Sequence, residues 1–342
     1  MKNVLITGGA GFIGANTASY FLKKGYKVSV LDNLSRKGSV ANLGWLKRTY
    51  KELVFIKGDI RDFALLKKVV VGKDVIFHLA GQVAVTSSVT NPREDFEINA
   101  WGSFNVLEAA RLRNPKATLV YSSTNKVYGE MVNEKVLELN DRYGFAKLRK
   151  GVPETFPLDF HSPYGCSKGT AEQYFRDYFR IYGLKTVVFR QSCIYGPYQY
   201  GVEDQGWIAW FVIASLLGRK ISIYGDGKQV RDVLFVDDLV KAYDLAVKKI
   251  SRTQGQIYNI GGGPKNSISI WRQFFPTLEK KLGKKIEVTC SAWRPGDQRI
   301  YISDIRKARR DFGWQPTVNI KKGLDKLIVW VKKNEKVIKK VI

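Results

Sequence analysis

Histidine is nearly missing from this sequence: His78 and His161 are the only two among 342 residues. Cysteine is little commoner, with Cys166, Cys193 and Cys290 far apart and odd in number. A histidine-rich metal site is therefore not expected. Nor is a disulfide framework; the scattered thiols point to a reducing compartment and a cytoplasmic location. No apolar run approaches the roughly 20 residues of a membrane span. The opening run Met1-Lys2-Asn3-Val4-Leu5-Ile6-Thr7 enters a strand at once, so a secretory leader is not expected. Internal repeats and low-complexity tracts are absent. Acidic residues are short as well: 31 Asp and Glu stand against 57 Lys and Arg, a net charge of +26. Such a surface attracts polyanions, phosphorylated substrates or acidic lipids. It also suits a heat-adapted organism, although Glu ordinarily rises with Lys there. Much of the excess sits near the end, in Lys321-Lys322, Lys332-Lys333 and Lys339-Lys340. These read as solvated helix faces, and neither nucleic acid nor a membrane is expected as a partner.

What is present is alternation. Hydrophobic residues make up 44 %, enough to bury a real core. Asn3 to Ile6 reads as a strand, followed by Thr7-Gly8-Gly9-Ala10-Gly11-Phe12-Ile13-Gly14. A helical pattern then runs from Ala15 to Lys24, and the strand Val28 to Leu31 ends in Asp32. Gly8, Gly11 and Gly14 let the backbone turn tightly, approach a pyrophosphate and pack a helix on a sheet. The helix start presents free amides to phosphates. Asp32 is placed to accept hydrogen bonds from an adenosine ribose, and its charge repels the extra phosphate of NADP, so NAD is expected. Strands follow at Leu53 to Lys57, Asp74 to Leu79 and Ala117 to Tyr121, with helices at Phe63 to Val71 and Pro92 to Arg113. This order predicts an α/β fold with a doubly wound parallel sheet. Ligands gather at the carboxyl ends of such strands, where Asp59, Ala80 to Gln82 and Ser122 to Thr124 outline one crevice.

The later run Ser162-Pro163-Tyr164-Gly165-Cys166-Ser167-Lys168 starts a helix, with Ser162 as cap and Pro163 in the first position. Tyr164 and Lys168 lie four residues apart on one face. Each free side chain has a pKa of about 10, so neither is a base alone. Side by side, the ammonium favours phenolate, which makes the pair a candidate proton acceptor for an alcohol losing hydride. A surface Tyr and Lys at helical spacing is the plain alternative. A helix from Thr170 to Tyr182 and a strand from Thr186 to Arg190 complete this part. Phe235 to Val247 and Gln256 to Ile260 read as a helix and a strand returning to the first domain. The expected division is residues 1–190 with 232–260 as the dinucleotide-binding domain, and 191–231 with 261–342 as a smaller lobe. Between Gly129 and His161 lies a long charged stretch, a plain surface insertion or, as the resemblance given below implies, a substrate cover. Trp207, Trp210 and Trp293 can stack on a base, but core packing suits most tryptophans better.

Several runs together resemble the extended short-chain dehydrogenases/reductases that modify nucleotide sugars. They are the Gly8-Gly11-Gly14 loop, Asp59-Ile60, Ser122-Ser123-Thr124 with Val127-Tyr128-Gly129, and the Tyr164/Lys168 pair. Gly227-Lys228-Gln229-Val230-Arg231-Asp232, Asn259-Ile260-Gly261-Gly262-Gly263 and Arg294-Pro295-Gly296-Asp297 add to them, so the likeness spans Asn3 to about Trp330. Within that group, Asp32-Asn33-Leu34-Ser35-Arg36-Lys37-Gly38, Leu158 through Lys168 and Asp204-Gln205-Gly206-Trp207 are similar to the tyvelose-type epimerases of CDP-sugars.

The resemblance implies a Rossmann domain with a smaller C-terminal α/β substrate-binding lobe. It implies NAD, held by Gly8, Gly11, Phe12, Ile13, Gly14, Asp32, Asn33, Ser35, Arg36, Asp59 and Ile60. Leu79, Ala80, Gln82, Asn99, Ser122, Tyr164 and Lys168 complete that set. Thr124, Tyr164 and Lys168 are implied as catalytic, with Lys168 lowering the pKa of Tyr164. Thr124, Asn125, Gln205, Arg231 and Arg294 are implied to bind a nucleotide sugar, the arginines gripping its diphosphate. Many relatives have Asn at the place of Cys193, which here reads as a small buried residue. The implied reaction is transient oxidation at carbon 2 of CDP-paratose, giving CDP-tyvelose, by a homodimer or homotetramer. A UDP-sugar 4-epimerase remains an alternative. A 4,6-dehydratase needs an Asp and a Glu after the active-site Thr, where this chain has Asn125 and Lys126. A non-catalytic dinucleotide-binding protein is the remaining rival.

Overall fold

The computed structural model describes residues 2–293 and 298–342. Seven strands form the main sheet, in the order Gln256–Ile260, Lys185–Gln191, Thr118–Thr124, Val75–His78, Asn3–Thr7, Lys27–Asp32, Val54–Lys57. Every neighbouring pair runs parallel. The order reverses between Asn3–Thr7 and Val75–His78, and a crevice opens beyond the carboxyl ends at such a reversal. Val75–His78 is buried throughout, as a parallel strand covered on both faces must be. On one face, Ile6, Val30, Phe77 and Phe189 pack against Phe21 of the helix Phe12–Lys23 and Tyr243 of the helix Val236–Lys248. On the other, Leu5, Ile76, Leu119 and Tyr121 meet Leu107 of Gly102–Arg113 and Phe175 of Ser162–Tyr182.

A second core joins the helix Trp207–Leu217, through Ile208, Phe211 and Val212, to Phe274, Phe275 and the helix Ile320–Lys333. Residues 306–314, assigned from sequence to the smaller lobe, instead join the first core through Ala308, Phe312 and Trp314. The indole Nε1 of Trp314 donates to the Asp238 carbonyl at 2.8 Å.

Two local expectations change. The helix read from Pro92 to Arg113 is three pieces: Pro92–Phe96, a π-helical turn Glu97–Trp101, and Gly102–Arg113. Such turns often mark functional sites, and this one carries Asn99. The stretch read as a substrate cover is instead a strap. Its strands Val136–Glu138 and Tyr143–Phe145 pair antiparallel. The Tyr143 amide donates to the Lys228 carbonyl at 3.1 Å, and the Val152 amide to Ile302 at 2.7 Å. Tyr143, Phe145 and Val152 are buried with Val230, Ile300 and Tyr301. These few apolar residues, scattered among charges, hid the packing from a pattern reading. None of the described residues from 130 to 160 lines the crevice. No helix among the described residues is long and apolar enough to cross a membrane.

Candidate active site

The first turn of the sheet is shaped by glycine. Gly8 has φ +68°, and a Cβ there would sit 2.6 Å from the Ala80 nitrogen. A Cβ on Gly14 would overlap the Gly8 carbonyl oxygen. The loop therefore packs directly on the neighbouring strand end, leaving its outer side for a ligand. Gly11 starts the helix Phe12–Lys23 without a side-chain cap, so the first helical amides face outward unclaimed by a side chain. Asp32 is buried at the end of its strand and accepts from Ala10 N at 3.0 Å and Leu34 N at 2.8 Å. Burial pushes its carboxyl upward while those amides hold it down. Asn33 donates to Asp59 at 2.9 Å and accepts from Ser35 N at 3.0 Å. Arg61 grips Asp59 and holds its carboxyl down at about 2. The side chain of Ile60 belongs to the core. This cradle fits the dinucleotide expected from sequence: two glycines without room for a side chain, open helix amides and a fixed carboxylate.

The next strand end is locked by the π turn. Leu79 N donates to the Thr7 carbonyl at 3.1 Å. Asn99 Oδ1 accepts from Gln82 N at 3.0 Å, and its Nδ2 donates to Gln82 O at 3.1 Å and to Asp95 at 3.0 Å. Ala80 to Gln82 are thereby fixed beside the glycine loop.

A cleft of about 410 Å³ opens beyond these ends. Phe12, Ile13, Ser122, Thr124, Asn125, Tyr164, Gln205 and Arg231, all named from sequence, line it together. Arg294 lies outside the described residues. Arg36 donates to Gln205 at 2.6 Å, so a residue expected at the cofactor touches one expected at the substrate. Trp207 and Trp210 line the wall, Trp207 edge-on to Phe211 and Phe274. Cys193 also lines the cleft, and burial pushes its thiol upward, so it offers a neutral contact.

His161, not Ser162, stands at the N-cap; Ser162 opens the helix at φ +69°, its Oγ accepting from Gly165 N at 3.3 Å. Tyr164 then lines the cleft together with Thr124, and Lys168 is buried one turn on. Burial pushes the Tyr164 phenol up to about 12, Asp95 adding to the rise while Thr124 and Arg36 oppose it. Burial pushes Lys168 down to about 7 against the pull of Asp95 and Glu172. In the ligand-free protein the net shift at Tyr164 is therefore upward. Both groups are taken out of water, and desolvation outweighs their neighbours. Lys168 Nζ sits 4.3 Å from the centre of the Tyr121 ring.

Two site residues were missed in the sequence. Asp95, wholly buried, acts on both Tyr164 and Lys168. Glu172 accepts from Ser123 Oγ at 2.7 Å and pairs with Arg190 at 2.5 Å. The signal for Glu172 was available, one helical turn beyond Lys168 on the same face. Asp95 gave none, because its influence on Lys168 is a long-range contact that no local spacing marks.

The profile of the GDP-mannose 4,6 dehydratase family matches residues 5–327. CDP-paratose 2-epimerase of Salmonella typhi is 44% identical over 334 residues, spanning 96% of this chain and 98% of that one. Among solved structures, UDP-glucose 4-epimerase of Thermotoga maritima with UDP-glucose superimposes with a TM-score of 0.84 at 33% identity, covering 97% of this chain and 99% of that one. The dTDP-glucose 4,6-dehydratase of Streptomyces venezuelae with NAD bound gives 0.85 at 30% identity, covering 99% and 100%.

Proposed function

This chain belongs to the GDP-mannose 4,6-dehydratase family of extended short-chain dehydrogenases/reductases, and from that premise we propose that it is an NAD-dependent nucleotide-sugar epimerase interconverting CDP-paratose and CDP-tyvelose. The observation that carries the redox reading is that Thr124 and Tyr164 line the same cleft, with Lys168 one turn on and the glycine cradle beside it. The similarity to the Salmonella epimerase over nearly the whole chain supports the CDP-sugar. Asn125 and Lys126 after Thr124 argue against a dehydratase, because elimination of water needs an acid and a base there.

Gly8, Gly11 and Gly14 with the following helix amides hold the cofactor diphosphate. Asp32 uses one lone pair on each oxygen for Ala10 and Leu34, keeping further acceptor sites for a ribose. NAD held in this cradle would supply a reversible acceptor for the hydride of the sugar carbon. Tyr164 accepts the hydroxyl proton at its phenol oxygen, and Thr124 fixes the direction of that oxygen. Arg231 holds the substrate diphosphate while the keto sugar turns, and Tyr164 then returns the proton. Lys168 binds the cofactor ribose and anchors the base of the site.

Incubation of the purified protein with CDP-paratose deuterated at carbon 2 tests the substrate. Conversion to CDP-tyvelose with deuterium kept at carbon 2 and a primary isotope effect is expected. Turnover of UDP-sugars with bond breaking at carbon 4, and none with CDP-paratose, turns the assignment to the 4-epimerase reading.

A further expected result concerns the cradle. Gly14→Ala forces the loop off the Gly8 carbonyl, and NAD affinity is expected to fall at least about tenfold, since close backbone approach is what the loop provides. Titration calorimetry with NAD checks this.

The same helices carry exposed apolar side chains. Trp101, Tyr174, Ile181 and Tyr182 are 51%, 43%, 65% and 51% exposed, and Phe104 stacks on Trp101 and meets Tyr174 edge-on. Clustered exposed aromatics mark an interaction face, and we assign it to a second copy of this chain. Light scattering should give a dimer or tetramer mass, falling to that of one chain in Ile181→Glu. A monomer in the unaltered protein removes the assignment.

A further inference from the structure

A second cavity of about 980 Å³ lies at the outer edge of the main sheet and shares no lining residue with the catalytic cleft. Its walls are the second half of the helix Ser162–Tyr182, the start of the edge strand Gln256–Ile260 and the helix Arg306–Phe312. Six cations line it: Arg176, Arg180, Arg190, Arg306, Lys307 and Arg310. Only Glu154 and Asp304 among the lining residues are acidic.

Four of the six cations have partners. Arg190 is bound by buried Glu172, Arg306 by Asp304, and Arg310 by Asp311. Lys307 donates to the Ile257 carbonyl at 2.8 Å and lies over the Tyr258 ring. Arg176 and Arg180 differ. Among the described residues no carboxylate stands within ion-pair distance of either, and they sit one turn apart on the same helix. Like charges at that spacing destabilise a helix. Burial, with Arg180 and Arg190, pushes the Arg176 guanidinium downward, while Glu172 opposes them. The pair faces away from Tyr174 and Ile181, so it is separate from the face assigned to a second copy. Guanidinium groups grip phosphate through two parallel hydrogen bonds and keep their charge. Cations on opposite walls of so wide a cavity suit a chain of phosphates better than one.

We propose that this cavity is a second anion site, which takes a small di- or triphosphate between Arg176 and Arg180 on one wall and Arg306 and Arg310 on the other. A flat basic surface attracts long polyanions indiscriminately; this one is concave.

The test uses the full chain loaded with NAD at an ionic strength of about 0.15 M, where exposed charges are screened beyond about 8 Å. Inorganic pyrophosphate, inorganic triphosphate and CTP are titrated by calorimetry. Saturable binding of triphosphate at one site per chain is expected. The double variant Arg176→Glu with Arg180→Glu should weaken it at least tenfold while keeping epimerase turnover. Lys332→Glu with Lys339→Glu, an equal change of charge far along the chain, should leave binding unchanged. Arg231→Ala, in the catalytic cleft, should also leave it unchanged. Equal affinity for CTP and triphosphate identifies the phosphate chain as the recognised part, and tighter CTP identifies a nucleotide; either supports the site. Equal losses in the two double variants reduce it to general surface charge and overturn it. Loss in Arg231→Ala alone places the binding in the catalytic cleft. Binding of single-stranded oligonucleotide without any binding of triphosphate also overturns it. If the arginine double variant unfolds, Arg180→Gln alone serves, with the same expected direction.

Discussion

Tyr164→Phe is expected to lower epimerisation by about 10²- to 10⁴-fold, the usual contribution of a positioned acid–base group, while NAD still binds. The ring fills the same space, so only the hydroxyl is lost. One neutral hydrogen bond is worth about 1 kcal/mol, so the fold should survive. In the ligand-free protein the phenol is pushed up to about 12 and is protonated at neutral pH. It becomes a base only when further positive charge enters the cleft, and the bound cofactor is the place for that charge. The loss in Tyr164→Phe should therefore fall on turnover more than on substrate affinity. Thr124→Val, which removes the threonine hydroxyl but keeps the phenol, should lose less. Steady-state kinetics with an NAD titration checks both; unimpaired turnover in Tyr164→Phe sinks the assignment.

The parts of this site that were legible in the sequence are those written in local spacing. The glycine loop, Asp32 and the Tyr164/Lys168 helix each depend on neighbours a few residues away, and each stands where the pattern put it. The parallel order followed from alternating strands and helices, because a parallel sheet needs a crossover between strands. Long-range contacts were not legible. Asp95, in the helix Pro92–Phe96, acts on Lys168 across more than 70 residues of chain and accepts from Asn99 of the π turn Glu97–Trp101. The residues around Tyr143 read as an exposed cover, yet a few apolar side chains and the Lys228 and Ile302 carbonyls hold that region as a strap. Trp314 joined the first core through a bond to Asp238, 76 residues away. The balance of burial against charge at Tyr164 and Lys168 also escaped the sequence, since spacing shows who is near but not how much water is left.

That balance gives the second large effect. Lys168→Met is expected to abolish most epimerase activity and, in the NAD-free protein, to raise stability at neutral pH. Burial pushes Lys168 from its ordinary value of 10.5 down to about 7, even with Asp95 and Glu172 pulling it upward. The unfolded chain therefore binds more protons at this group than the folded chain between about pH 7 and pH 10.5. Stability contributed by the group accordingly rises with pH across that window, and its penalty is complete below it. Methionine carries no charge to desolvate and has a similar length, so the penalty disappears, an effect on the order of a few kcal/mol at neutral pH. The gain is reduced by leaving Asp95 without its cation, and burial then pushes that carboxyl further upward. Thermal unfolding of both proteins from pH 7 to pH 10 should show the variant more stable at the low end, the two curves converging at the high end. A constant offset across the range would mean that the difference is packing rather than charge. If instead the variant is less stable throughout, the lysine is holding its surroundings together, and the site was not built at a cost to the empty protein.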